Sequence, residues 1–114
     1  MSTPPKITTQ TIYRGESVFL EGDEARQFYL IKSGAVQLSR VVNDKDQFIA
    51  KLGENEIFGE SALFDGTPHL FTATAIINTT CMVFPKEVIL AKFASSPEAA
   101  LLICRSLFAT MRNE

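Results

Sequence analysis

The sequence predicts one mainly β domain: a β-roll over about residues 7–84, followed by helices over about residues 86–112. Short segments rich in β-branched and aromatic residues follow one another through most of the chain. Glycines separate these segments, and helix-forming residues take over only after Pro85. A chain of 114 residues is long enough for a single domain with one buried core. Many short strands with turn residues between them are typical of a sandwich or barrel.

The strand-like segments read ITTQTIY, SVFL, QFYLIKS, AVQLSRVV, QFIAKL, LFTATAII and TCMVF. Several of them alternate with the two-residue period of a half-buried strand. In QFIAKL, this period predicts that Phe48, Ala50 and Leu52 share one face. The sequence NDKD at 43–46 predicts a hairpin turn between two apolar runs. The other turns are predicted where a positive φ can be needed, at Gly15, Gly22, Gly34, Gly53 and Gly66.

The helical part of the chain is predicted to begin after Pro85. Residues 86–94 are helix formers, and Ser95-Ser96-Pro97 ends one helix and starts the next, with Ser96 as cap and Pro97 at the first position. The last segment carries an apolar stripe made of Ala100, Cys104, Leu107, Phe108 and Met111. This stripe is the predicted surface for a homodimer, because two such helices can pack side by side.

Composition and charge exclude several classes of function. The net charge of −2 argues against a nucleic-acid surface, and the longest apolar runs are far shorter than the ~20 residues of a membrane span. The N-terminal sequence does not resemble a signal peptide, so we expect a cytoplasmic protein with reduced thiols at Cys81 and Cys104. With His69 as its single histidine, the chain lacks the ligands of a cupin-type metal site and the members of a catalytic triad. We therefore predict no metal, no cofactor and no enzymatic activity.

The stretch Phe58–Ala75, FGESALFDGTPHLFTATA, has the residue types of a phosphate-binding loop. Gly59 allows the backbone to approach a ligand closely, and residues 61–64 are predicted to form a short helical turn with free N–H groups. Phosphate is an anion, however, and no Lys or Arg occurs from Leu52 to Pro85. The same span holds the carboxylates of Glu54, Glu56, Glu60 and Asp65.

With these features, the chain resembles the cyclic-nucleotide-binding domain of catabolite-activator-type regulators, of cAMP-dependent kinase regulatory subunits and of nucleotide-gated channels. The resemblance covers about residues 7–112, and its most specific part is Phe58-Gly59-Glu60-Ser61-Ala62-Leu63. It implies an eight-stranded double-stranded β-helix, a jelly-roll-like β-roll with a short helix in the phosphate cassette and helices at the C-terminus. It also implies cAMP or cGMP as ligand, a sensor role in signal transduction, and a hydrogen bond from the ribose 2′-hydroxyl to Glu60.

The chain departs from the family pattern at the arginine that neutralises the cyclic phosphate. Counting on from Pro68 puts His69 in the arginine position. Matching the family's strand to Thr72-Ala73-Thr74 puts Phe71 there instead, and we prefer this alignment because it continues the strand in register. Neither alignment supplies an arginine, so weak or altered ligand binding is predicted.

Each remaining candidate has two interpretations. His69 is either a cation when protonated or a solvated turn residue, and Phe71 either fills the pocket or belongs to the core. Thr72 either contacts the phosphate or a guanine amino group or is simply a strand former, and Ile49 either lines the purine side or is core. The basic residues that could reach the pocket from elsewhere are Arg40, Lys32 and Lys51.

Two functions remain from different classes. The first is a sensor module in which ligand binding reorients the C-terminal helices, with Ser95-Ser96-Pro97 as hinge. The second is a ligand-free protein-interaction or dimerisation module of the same fold, with the pocket filled by side chains such as Phe71. DNA-binding relatives carry a helix-turn-helix domain after the last helix, which this chain does not include. The initial Met favours a complete short protein.

Overall fold

The computed structural model describes residues 6–88 of the chain, which form eight strands, one six-residue helix and three helical residues at 86–88. The strands are β1 Thr8–Ile12, β2 Ser17–Phe19, β3 Gln27–Ser33, β4 Val36–Val42, β5 Lys45–Leu52, β6 Ile57–Phe58, β7 Thr72–Ala75 and β8 Thr79–Pro85. Helix α1, Glu60–Asp65, lies between β6 and β7.

The eight strands form two four-stranded antiparallel sheets. One sheet has the order β1-β8-β3-β6 and the other β2-β7-β4-β5. Consecutive segments therefore alternate between the sheets at several points, and the chain winds around a shared interior. The predicted mainly β roll is confirmed.

The main core lies between the two sheets. It is built from alternate residues of the strands, including Phe19, Tyr29, Ile31, Phe58 and Cys81. The Tyr29 and Phe58 rings stack with their centroids 5.0 Å apart. Burial raises the pKa of the Cys81 thiol to about 11, so this free cysteine stays protonated and unreactive at neutral pH.

Strand β3 is buried on both faces. Tyr29 and Ile31 point into the main core, whereas Phe28 and Leu30 pack on the opposite face with Leu63 of α1. The Phe28 ring also stacks on Phe84, with centroids 5.0 Å apart. A strand covered on both faces has a continuous apolar run, which explains the sequence QFYLI. The outer cluster attaches α1 to the roll.

The β4–β5 hairpin contains a bulge, which the two-residue period of the sequence did not predict. Its two-residue turn, Asn43-Asp44, has positive φ angles of 53° and 63°, as a type I′ turn requires. Leu38 pairs with Ala50 and Ser39 pairs with Phe48, which leaves Ile49 as an extra residue. Beyond the bulge, the side chains of β5 point to the opposite faces from those that strict alternation predicts. Phe48 is therefore 60% exposed, and the prediction that it shares a face with Ala50 and Leu52 is wrong.

One of the predicted glycine turns is built differently. Positive φ angles occur at the other four predicted turn glycines and at Gly59, but between β5 and β6 the left-handed residue is Asn55, with φ 69°. Asn tolerates this conformation better than most residues. The Glu56 carboxylate closes the same turn, because its Oε1 accepts a hydrogen bond of 3.0 Å from the Gly53 N–H.

The predicted C-terminal helices fall mostly outside the described residues. Residues 86–88 are helical, and the Lys86 N–H donates to the Arg26 carbonyl at 3.2 Å. The rest of the first predicted helix, the hinge at Ser95-Ser96-Pro97, the stripe of the last helix and Cys104 lie outside residues 6–88. Within that range, no helix has the length and apolar character to cross a membrane.

Candidate functional site

A cavity of about 240 Å³ lies beside α1 at one end of the roll. Seven of the eleven predicted site residues line it: Phe58, Gly59, Glu60, Ser61, Ala62, His69 and Phe71. Ser61 at its edge is exposed and Phe71 is half-buried, so the cavity opens to solvent on this side. The predicted cassette is thus assembled around one concave site.

Gly59 lies where the chain passes from β6 into α1. Its φ of 86° is left-handed, and it is the residue that precedes the first turn of α1. A Cβ atom at this position would lie 3.3 Å from Phe19 Cε2 and 3.5 Å from His69 Cε1. The backbone angle therefore favours glycine, and a side chain here would also press against the Phe19 ring.

Helix α1 presents its two faces to different surroundings. Ala62 lines the cavity and is 5% exposed. Leu63 is 1% exposed and packs in the outer cluster instead, so it holds the helix in place without contacting the cavity. Gly66, with φ 73°, ends the helix, and its N–H donates to the Ala62 carbonyl.

His69 is buried, and its interpretation as a solvated turn residue is wrong. Its side chain is 5% exposed and stacks on the Phe19 ring, with centroids 3.6 Å apart and an interplanar angle of 6°. Two backbone hydrogen bonds fix its position: the His69 N–H donates to the Asp23 carbonyl at 2.9 Å, and the Gly22 N–H donates to the His69 carbonyl at 2.8 Å. These contacts across more than forty residues of sequence remove the imidazole from solvent.

Burial also decides the charge of His69. Desolvation lowers the pKa of the imidazole below its ordinary value of 6.5, and the nearby Asp23 carboxylate opposes this shift only in part. The ring is therefore neutral at pH 7, and it supplies no positive charge to the cavity.

We expect this lowered pKa to make the protein less stable in mild acid. The unfolded chain takes up a proton near pH 6.5 while the folded chain resists it, so stability is lost as the pH falls below about 6.5. The substitution His69→Phe keeps a ring against Phe19 and removes this titration. Thermal unfolding from pH 8 to pH 5 should show a smaller loss of melting temperature for the variant than for the wild type. Parallel curves for the two proteins would contradict this interpretation of His69.

Phe71 and Leu70 line the cavity just before strand β7. Strand β7 begins at Thr72 and pairs in register with β4, from Ser39↔Thr72 to Val36↔Ala75. Phe71 is thus the residue immediately before the strand, as in the alignment preferred from sequence. It borders the cavity without filling it, and Leu70 at the same edge is 57% exposed.

The remaining predicted site residues do not reach the cavity. Thr72 Oγ1 accepts a 2.9 Å hydrogen bond from the Glu21 N–H, and Ala73 is fully buried in the main core. Ile49 is the extra residue of the β5 bulge and is 36% exposed, so the structure gives it neither a core position nor a place at the cavity.

Six lining residues were not predicted from the sequence: Phe19, Leu38, Leu52, Glu56, Ile57 and Leu70. Glu56 and Ile57 directly precede the stretch Phe58–Ala75, so a wider window would have included them, and Leu70 lies within that stretch but was not singled out. Phe19, Leu38 and Leu52 come from β2, β4 and β5, and only the pairing of distant strands brings them to the site.

The cavity has an unusual charge for a phosphate site. Its titratable lining residues are Glu56, Glu60 and His69, and within residues 6–88 no Lys or Arg lines it. The candidates for reaching in, Arg40, Lys32 and Lys51, are exposed and do not line the cavity. The described surroundings are thus acidic and apolar.

A family model, curated relatives and a solved structure all match this chain through the same kind of domain. The family model of the cyclic nucleotide-binding domain matches residues 9–96. A CRP-like cAMP-activated global transcriptional regulator from Mycobacterium tuberculosis is 29% identical over 101 residues, 88% of this chain and 45% of the regulator. A cAMP-dependent protein kinase regulatory subunit from Candida albicans is 35% identical over 81 residues, 71% of this chain and 17% of the subunit. The chain thus spans less than half the length of either relative.

Among solved structures, a crystal structure of a cyclic nucleotide-binding domain from Methylobacillus flagellatus matches with a TM-score of 0.77 at 27% identity. The match covers 93% of this chain and 61% of that one.

Proposed function

Because the chain belongs to the cyclic nucleotide-binding domain family, we propose that it is a regulatory module that senses a small ligand and binds cAMP or cGMP only weakly. The observation that carries this proposal is the open cavity beside α1, lined by Phe58 to Ala62. Ligand pockets are typically concave, mostly apolar and preformed, and this cavity fits that description.

Weak binding of cyclic nucleotides follows from the charges of the cavity. A phosphate placed there would lie near the Glu56 and Glu60 carboxylates, and His69 is neutral at pH 7. Leaving one member of a hydrogen-bonded charge pair without its partner typically costs about 2–5 kcal/mol, or roughly thirtyfold to several thousandfold in affinity. Backbone N–H groups near Gly59 remain as donors, so we expect reduced rather than abolished binding.

The outer cluster supports a route from the cavity to the C-terminal part of the chain. Leu63 on α1 packs in this cluster with Phe84, and the helical residues begin two positions later at Lys86. A ligand that shifts α1 therefore also shifts the packing at the start of this helix. Coupling of this kind biases a two-state element, as a regulatory module requires.

The second candidate is a ligand-free interaction module. The acidic lining favours a ligand-free module, because nearby carboxylates weaken the binding of the family's anionic ligand. The open volume beside Phe71 argues against a ligand-free module, because a pocket filled by its own side chains would leave no such volume. Two curated relatives are named as a transcriptional regulator and a kinase regulatory subunit, which supports a non-enzymatic role. The homodimer and the cytoplasmic location stay predictions.

Calorimetric titration of cAMP and cGMP at pH 6 and pH 8 tests the proposal. We expect dissociation constants of about 0.1–1 mM, equivalent to about −5.5 to −4 kcal/mol, and little difference between the two pH values because the pKa of His69 is lowered. Micromolar binding at both values would contradict weak binding and indicate a cation from outside residues 6–88. Tight binding at pH 6 alone would identify protonated His69 as that cation.

A further inference from the structure

His69 is a buried polar side chain whose hydrogen-bonding groups are not used by the protein. Buried polar groups normally have a partner, as Thr79 shows: its hydroxyl donates to the Ile77 carbonyl at 2.8 Å and accepts from the Ala35 N–H at 3.1 Å. His69 is only 5% exposed, yet its imidazole nitrogens make no hydrogen bond with the described part of the chain. No side-chain nitrogen or oxygen of residues 6–88 is both unpaired and sealed from solvent, so these nitrogens can be reached from outside.

The edge of the ring that carries the nitrogens faces the cassette. His69 Cε1, which is bonded to both ring nitrogens, would lie 3.5 Å from a Cβ atom at Gly59 and is the His69 atom nearest to that point. Both residues line the cavity beside α1. The Phe19–His69 stack also borders a second opening of about 390 Å³, but Gly59 does not line that one. A polar group bound in the cavity beside Gly59 can therefore reach the imidazole nitrogens.

The imidazole is held in place before any ligand binds. Its stack on Phe19 and the backbone hydrogen bonds to Gly22 and Asp23 position residue 69. Because the ring is neutral at pH 7, one of its nitrogens donates and the other accepts. No hydrogen bond from residues 6–88 decides which nitrogen carries the proton, so a bound group can select the tautomer that suits it.

We propose that His69 is a specificity-determining residue that hydrogen-bonds an uncharged polar group of the ligand, a hydroxyl, an amide or a ring nitrogen, beside Gly59. This inference rests on the proposed sensing function and names the ligand group that the same site recognises. An uncharged group suits this position, because burying it costs less than burying a charge. One donor and one acceptor on a fixed ring are sufficient to orient such a group.

Nitrogen NMR of the imidazole tests the contact directly, because His69 is the single histidine of the chain. Without ligand, the two ring nitrogens of the isotope-labelled full chain should give signals averaged between the tautomers at pH 7.5. Saturation with adenosine, an uncharged probe, should separate them into one donor and one acceptor nitrogen. Unchanged signals while adenosine binds would overturn the proposal.

Two variants separate hydrogen bonding from packing. His69→Phe keeps a ring against Phe19 and removes both nitrogens, so it should weaken adenosine and cAMP alike by about three- to tenfold in calorimetric titration. His69→Gln restores a donor and an acceptor and should bind both probes more tightly than His69→Phe, although it loses the stack. Gly15→Ala is the control for lost stability, because Gly15 does not line the cavity. It should keep both affinities within about twofold of the wild type.

The outcomes separate this inference from the proposed function. If His69→Phe binds both probes as tightly as the wild type, if it weakens cAMP alone, or if His69→Gln binds no better than His69→Phe, the role of His69 is wrong while the sensing function stands. Binding of cAMP without any binding of adenosine would also exclude recognition of an uncharged group. If cAMP, cGMP and adenosine all fail to bind the wild type at about 10 mM, the sensing function and this inference are both overturned.

Discussion

Replacing Gly34 by alanine is expected to destabilise the protein by about 3 kcal/mol or more. Gly34 has φ 106°, a conformation that L side chains rarely adopt, and a Cβ atom there would lie 2.7 Å from Thr79 Cα and 2.8 Å from the Asn78 carbonyl oxygen. These are backbone atoms at the start of β8, so they cannot move aside as a side chain can. Displacing Thr79 would also weaken the 3.1 Å hydrogen bond from the Ala35 N–H to its buried hydroxyl.

Gly15→Ala is the matched control for this substitution. Gly15 has a similar positive φ of 88°, but a Cβ atom there has no neighbour within 4 Å. We expect it to cost about 1–2 kcal/mol, since it introduces backbone strain without a clash. Urea unfolding at 25 °C measures both variants. Equal losses would show that the close approach of Gly34 to β8 contributes nothing, contrary to our expectation.

Replacing Phe71 by arginine is expected to strengthen cAMP binding by about tenfold to a hundredfold. Phe71 is half-buried at the edge of the cavity, so a longer side chain can extend there without disturbing the core. A hydrogen bond to a charged group contributes about 1.5–3 kcal/mol, which corresponds to this range of affinity. Calorimetric titration of wild type and variant at one ionic strength measures the gain.

Thr67→Arg controls for the added charge alone. Thr67 is an exposed residue of the same loop and does not line the cavity. This variant should improve cAMP binding by less than about twofold, because an exposed charge is screened by solvent. A stable Phe71→Arg protein that gains no more than this control would contradict the placement of Phe71 in the arginine position.

The sequence was sufficient to predict the fold and a run of residues that line the cavity, because both are encoded locally. Alternating apolar residues specify strands, the Asn43-Asp44 turn specifies a hairpin, and Phe58 to Ala62 lie together in the chain. These features depend on neighbours only a few residues away. They can therefore be recognised before any tertiary contact is known.

The rest of the site depends on contacts between distant segments. His69 is buried because Gly22 and Asp23 bind its backbone and Phe19 covers its ring. The local sequence around Thr67 and Pro68 contains no pattern that predicts these contacts. The bulge at Ile49 likewise follows from the register between β4 and β5, which a period of two cannot reveal.

The two buried faces of β3 contribute to different parts of the structure. Tyr29 and Ile31 belong to the packing that holds the two sheets together, whereas Phe28 and Leu30 belong to the packing that holds α1. Because Phe28 and Leu30 are themselves fully buried, substitutions in the outer set are expected both to loosen the packing of α1 and to lower the stability of the roll. Strand β3, which carries side chains of both kinds, therefore couples the position of α1 to the stability of the whole roll.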